Sequence, residues 1–101
     1  MINVLLVCSA GMSTSMLVQR TIDAAKKRGV EISISAMSEA EAKKHLDGCD
    51  VILLGPQVRF LLKGITKLTE GKNIKVDIIN SVSYGRLDGN DVLSQILRML
   101  E

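Results

Sequence analysis

A chain of 101 residues makes a single domain, residues 1–101, large enough to fold around a core without disulfide or metal staples. Its 47% hydrophobic and 24% charged residues exclude a disordered segment, and a net charge of +2 with only Phe60 and Tyr84 aromatic excludes a nucleic-acid binder built on basic patches and stacking rings. No apolar run reaches the roughly 18 residues of a membrane span, and Met1-Ile2-Asn3 lacks the basic start of a signal peptide, so a cytoplasmic protein is expected.

The cysteines, Cys8 and Cys49, make neither a disulfide framework nor a C-x-x-C redox pair. With His45 they fall short of a zinc ligand set, and neither metal nor cofactor is expected. Lys26-Lys27-Arg28 and Lys43-Lys44 fall at the ends of expected helices, where cations suit the helix dipole and face solvent.

The first element is a strand, Ile2 to Val7. Its continuous apolar run reads as buried on both faces, as in the middle of a parallel sheet. Cys8 ends the run, and Ser9-Ala10-Gly11-Met12-Ser13-Thr14-Ser15 follows before a helical pattern sets in. Small residues leading into a helix suit a tight turn whose backbone N–H groups converge with the positive end of the helix dipole, an anion cradle. A cysteine at its mouth would have its thiolate stabilised by the same groups. The stretch therefore offers a nucleophile and a phosphate site together. Cys8 as a small hydrophobe closing the strand is the plainer alternative, and it leaves the following seven residues without a reason.

The first helix is expected from about Ser13 or Ser15 to Arg28, with Val18, Ile22 and Ala25 on its apolar stripe, Leu17, Thr21 and Ala24 beside it, and Gly29 at its C-cap. Val30 to Ala36 alternates apolar and polar, which predicts an edge strand. Ser38 with Glu41 forms a capping box that starts a second helix, running to about Asp47 and stopped by Gly48. Asp50 to Leu54 is a third strand, again apolar and central. Gly55-Pro56-Gln57 launches a third helix with Val58, Leu61, Leu62, Ile65 and Leu68 inward, weakened by Gly64. Gly71-Lys72-Asn73 turns into a fourth strand, Lys75 to Ile79. A loop from Asn80 to Gly89 leads to a last helix bearing Val92, Leu93, Ile96, Leu97 and Leu100.

This order predicts an α/β fold: an open four-stranded parallel sheet, order 2-1-3-4, with helices on both faces. It is flavodoxin-like and lacks the fifth strand. Ligands of such sheets bind beyond the carboxyl ends of the strands where the order reverses, between strands one and three. Cys8, Gly55 and the loop around Tyr84 all start from that edge.

Three segments, Cys8 to Ser15, Leu53-Leu54-Gly55-Pro56-Gln57 and Tyr84-Gly85-Arg86-Leu87-Asp88-Gly89, together resemble the IIB component of the lactose/cellobiose class of the bacterial sugar phosphotransferase system. The resemblance extends along the whole chain in length and element order. It implies a phosphoryl carrier: a phosphohistidine on a IIA protein donates to Cys8, and the phosphocysteine passes the group to a sugar held by the membrane permease IIC. Cellobiose, chitobiose, lactose and related β-glucosides all fit, with selectivity expected mainly in IIC. Facing two partners in turn from one surface suits a monomer.

The residues suit that chemistry on their own terms, because phosphoryl transfer is mostly positioning and electrostatics. Backbone N–H groups of Ser9, Ala10, Gly11, Met12, Ser13, Thr14 and Ser15 would hold the oxygens, Gly11 letting the backbone approach. Hydroxyls of Ser9, Ser13, Thr14 or Ser15 could add bonds; Ser13 and Ser15 could equally serve only as caps. Met12 could dock on a partner or staple the helix start. The loop also resembles that of low-molecular-weight tyrosine phosphatases and arsenate reductases, which place an arginine six residues after the cysteine, where this chain has Thr14. Arg20 lies too far along the helix to replace it, and Asp88, the faint candidate for the acid such an enzyme needs, is better placed to cap the last helix.

Gln57 could reach the loop or a docked partner, or could be an ordinary polar residue in the first turn of its helix. Tyr84 could contact a partner or the sugar carrier, or merely cover the sheet edge. His45 is expected in solvent and Cys49 in a structural role.

Overall fold

A computed structural model describes residues 1–9 and 12–101, the side chains of Met12 and Ser13 excepted. The elements are β1 (Ile2–Val7), α1 (Met12–Lys27), β2 (Ile32–Met37), α2 (Glu39–Ala42), β3 (Val51–Leu54), a 3-10 segment (Pro56–Leu61) running into α3 (Leu62–Leu68), β4 (Lys75–Ile78), α4 (Ser81–Gly85) and α5 (Gly89–Met99). The strands form one parallel sheet in the order β2-β1-β3-β4, as expected from the apolar character of β1 and β3.

Alternation along those two central strands divides the core in two. Val4, Leu6, Val51 and Leu53 point to one face, where Leu17 of α1 and Val92 and Ile96 of α5 cover them. Leu5, Val7, Ile52 and Leu54 point to the other, against Ala42, Leu46, Val58 and Ile65. The edge strands carry fewer buried residues: Ile34 alone is buried in β2, and β4 is only half-buried at Val76 and Ile78.

Several elements differ from expectation. Helix one begins at Met12, and its innermost stripe is Leu17, Thr21 and Ala25, with Val18 and Ile22 at the margin. Thr21 is buried with its hydroxyl satisfied, donating to the Leu17 carbonyl at 2.8 Å. Helix two stops at Ala42 rather than Asp47: Lys43, Lys44 and His45 face solvent, and the backbone tightens into three-residue turns (Lys44 N–H to Glu41 O, His45 N–H to Ala42 O). Helix three opens as a 3-10 segment because Pro56 starts it and Val58 leaves helical geometry at φ −118°, ψ 24°; regular α-helix holds only from Leu62. Leu68, placed inward by periodicity, is 46% exposed. The Asn80–Gly89 loop contains α4.

Close packing of α5 on α1 depends on Gly89. A Cβ there would stand 2.3 Å from the Arg20 carbonyl carbon and 2.5 Å from the Thr21 nitrogen, so only glycine lets the two backbones approach. Leu87 takes a left-handed conformation at φ 54° just before Asp88, whose carboxylate caps α5 by accepting from the Asp91 N–H at 3.0 Å. Most of the Tyr84–Gly89 motif is thus a device for turning the chain from α4 into α5.

Candidate functional site

β1, β3 and β4 deliver three segments to one edge of the sheet, and the ladder carries one residue past each strand end. Cys8 N–H donates to the Met37 carbonyl, Gly55 N–H to Val7 and Ile79 N–H to Leu54, each at 2.9 Å. Cys8 is thereby held at the end of the buried central strand, 5% exposed. α1 begins four residues later at Met12. Cys8 and the start of α1 are therefore close in sequence, and Cys8 stands where the strand order reverses.

Ser9 and Ser15 are exposed, and Thr14 is buried. Ser13 and Ser15 lie inside α1, so neither is its N-cap. The expectations for Ala10 and Gly11, and for the side chains of Met12 and Ser13, lie outside the described residues.

Thr14 Oγ1 lies 2.9 Å from the Tyr84 hydroxyl, and Gln57 Nε2 donates to the same hydroxyl at 3.0 Å. The residues following β1, β3 and β4 are thus joined at one oxygen. Each partner is placed by its own local structure. Asn80 caps α4 by accepting from the Val82 and Ser83 N–H groups, which sets the short helix bearing Tyr84. Gln57 folds back over Gly55, whose missing Cβ would stand 2.8 Å from Gln57 Oε1. Sequence reading singled out Thr14, Gln57 and Tyr84 separately. Their convergence spans 70 residues between Thr14 and Tyr84 and leaves no periodic trace.

The segments that follow β1, β3 and β4 also carry exposed apolar side chains: Met16 on α1 (47% exposed), Phe60 in the 3-10 segment (76%) and Val82 on α4 (58%). Phe60 and Val82 were not singled out from sequence; their large exposure is the signal, and it exists only in the structure.

Away from this edge, His45 is exposed and Cys49 half-buried, its thiol donating to the His45 carbonyl at 3.2 Å. Burial, reinforced by the Asp50 charge, pushes the Cys49 thiol above its ordinary value, which suits the structural role expected of it. Arg20 faces a groove shared with Lys27, Arg28 and Asn90 at the α1–α5 junction. Among the described residues no group of three or more His, Cys, Asp or Glu side chains could hold a metal ion, and no helix is long and apolar enough to cross a membrane.

The family model described as the lactose/cellobiose-specific IIB subunit of the phosphotransferase system matches residues 3–95. The oligo-beta-mannoside-specific EIIB component of Bacillus subtilis (strain 168) is 37% identical over 97 residues, covering 96% of this chain and 94% of that protein. The cellobiose-specific EIIB component of Lactococcus lactis subsp. lactis (strain IL1403) is 39% identical over 94 residues, covering 88% of this chain and 87% of its own. Among solved structures, the cellobiose-specific IIB protein of Borrelia burgdorferi is 43% identical with a TM-score of 0.78, covering 97% of this chain and 90% of that one. The lactose-specific IIB domain of Streptococcus pneumoniae shares the fold, at TM-score 0.88 and 19% identity over 99% of this chain and 98% of its own. Fold and sequence agree: the chain belongs to the lactose/cellobiose-specific IIB family of the sugar phosphotransferase system.

Proposed function

We propose that this chain is a phosphoryl carrier whose phosphorylated residue is Cys8. The observation that carries the reading is the position of Cys8: the end of the central strand, at the topological switch point and at the approach to the N-terminus of a 16-residue helix. A thiolate there attacks the phosphorus of a phosphohistidine on a IIA protein. The N–P bond breaks as the S–P bond forms, and the donor imidazole leaves. In the second transfer a sugar hydroxyl bound by the IIC permease attacks the phosphocysteine. The S–P bond breaks, the thiolate returns and the hydroxyl proton is released. Neither step needs a cofactor. Backbone N–H groups of the segment 9–15 offset the charge on the equatorial oxygens.

Presenting one surface in turn to both partners suits a monomeric carrier working at the cytoplasmic side of the permease. The transferred sugar is of the cellobiose, lactose or oligo-β-mannoside kind, as in the names of the relatives. A phosphatase of the same loop geometry fits less well. Position 14, where that enzyme would carry its oxygen-clamping arginine, holds a threonine 2% exposed and bonded to Tyr84.

The test is sugar phosphate formation. Membranes carrying a cognate IIC, supplied with phosphoenolpyruvate, the general phosphotransferase proteins and IIA, should phosphorylate a β-linked disaccharide only when this chain is added. Release of inorganic phosphate from p-nitrophenyl phosphate by the protein alone, abolished in Cys8→Ala, would overturn the reading in favour of a hydrolase.

A further inference from the structure

We propose that the groove between α1 and α5 is a second binding site, for a phosphate monoester that also bears hydroxyls, namely a sugar phosphate; the choice of ligand rests on the carrier reading above. The groove has a volume of about 460 Å³ and is lined by Arg20, Asp23, Ala24, Lys27, Arg28 and Asn90. Lys27 closes the 16-residue α1, which is about 24 Å long, so this end of the helix is remote from Met12 and the strand edge that bears Cys8. The walls are fixed to each other, because Gly89 seats the start of α5 directly on the Arg20 backbone.

The charges of the groove are not cancelled within the fold. Among the described residues Arg20, Lys27 and Arg28 form no ion pair, and the Asp23 carboxylate accepts from Gln19 Nε2 at 3.0 Å instead. Three cations against one carboxylate leave a surplus of two positive charges, which a phosphate monoester dianion matches.

Arg28 is also held in one orientation. Its Nη1 donates to Asn90 Oδ1 at 3.0 Å, to the Ser94 hydroxyl at 2.9 Å and to the Asn90 carbonyl at 3.4 Å, which takes up both Nη1 hydrogens. All three acceptors are neutral, so the guanidinium is fixed while its charge stays available. Nε and Nη2 have no acceptor among the described residues, and together they form a fork that takes two oxygens of one phosphate. Fixing the group beforehand removes part of the ordering cost of binding. Arg20 and Lys27 add charge, while Asp23 and the Asn90 amide offer partners to hydroxyls. A sugar phosphate has both parts, and it is the product of the second transfer.

The experiment follows backbone amide and arginine Nε–H signals by NMR as glucose 6-phosphate, inorganic phosphate or glucose is added to the full chain at constant ionic strength. Residue-resolved signals separate the groove from the segment that follows Cys8. Glucose 6-phosphate should shift Ala24, Arg28 and Asn90 with a Kd of about 1 mM, inorganic phosphate should bind about tenfold more weakly, and glucose should not bind. Arg28→Lys keeps the charge and loses the fork, and should weaken binding about tenfold. Arg20→Gln and Lys27→Gln remove no hydrogen bond of the fold, so they test the site even where Arg28→Lys loosens the helix pair; each should weaken binding about threefold. Phosphoryl acceptance by Cys8 should be unchanged in all three variants.

Unmoved groove signals, or undiminished binding in Arg28→Lys, Arg20→Gln and Lys27→Gln, would overturn the proposal and leave the carrier reading intact. Equal binding of inorganic phosphate and glucose 6-phosphate would overturn the assignment to a sugar phosphate. Groove binding by a chain that no IIA phosphorylates would instead overturn the carrier reading, and with it the ligand's place as product.

Discussion

Gly89→Ala is the sharpest perturbation of the scaffold behind the site. The added methyl would stand 2.3 Å from the Arg20 carbonyl carbon, 2.4 Å from its oxygen and 2.5 Å from the Thr21 nitrogen. Carbon contacts settle near 3.5 Å, so α5 must retreat from α1 by roughly 1 Å. The obstructing atoms are backbone, so no rotamer change relieves the clash. Val92 and Ile96 then lose contact with Leu17 and the sheet. Overpacking costs about 1–3 kcal/mol, and a clash against backbone belongs at the upper end. Urea denaturation should show a loss near 3 kcal/mol with little change in slope, from a total of about 5–15 kcal/mol. Gly64→Ala is the internal control: nothing lies within 4 Å of its added methyl on an exposed face of α3, so it should stabilise by up to about 1 kcal/mol. A Gly89→Ala protein within about 0.5 kcal/mol of wild type would refute the assigned packing.

Asp88→Ala removes the carboxylate that accepts from the Asp91 N–H and should cost about 1 kcal/mol by the same denaturation assay, without abolishing phosphoryl acceptance; complete loss of acceptance in a folded Asp88→Ala protein would reassign Asp88 to the chemistry. The Lys72 ammonium, bonded 2.8 Å from the Asp47 carboxylate, holds that carboxyl below its ordinary value, so the contact stabilises the fold above the usual carboxylate range and is lost as pH falls through the lowered value. Thermal melts of wild type and Asp47→Asn should therefore differ slightly at neutral pH and converge in acid and in high salt; a gap that survives both would contradict the assignment. Gln95 donates to the Ile78 carbonyl at 2.8 Å and Asp77 accepts from the Ile78 N–H at 2.7 Å, which covers part of the outer edge of β4. Gln95→Ala should show concentration-dependent association in sedimentation that wild type lacks, and identical profiles would show that the edge needs no such cover.

Sheet order, and with it the edge at which the candidate site lies, was legible in the sequence because it rests on features written locally. Leu5 to Val7 and Val51 to Leu54 are apolar without interruption, and only a strand covered on both faces tolerates that; the alternating Ile32 and Ile34 marked an edge. The Ser-Ala-Gly-Met-Ser-Thr-Ser run after a buried strand stood out because a core has no use for it. Helix ends were harder. The exposed Lys43-Lys44-His45 continue a helical composition without an apolar reason to continue the helix, and Pro56 with Val58 turns what periodicity reads as one helix into a 3-10 entry. The meaning of Tyr84 to Gly89 was the least legible. Leu87 at positive φ and Gly89 against the Arg20 backbone are requirements imposed by another part of the chain, and the meeting of Tyr84 with Thr14 and Gln57 exists only once the sheet is assembled.

The central claim is that Cys8 carries the phosphoryl group, and intact mass tests it most directly. Wild type and Cys8→Ser would each be incubated with phosphoenolpyruvate, the general phosphotransferase proteins and a lactose/cellobiose-class IIA. The serine variant should fold normally yet fail to accept, since an alkoxide forms far less readily than a thiolate. One added phosphoryl group on wild type and none on Cys8→Ser is the predicted result. An unmodified wild type with several IIA donors, or equal modification of both proteins, would contradict it.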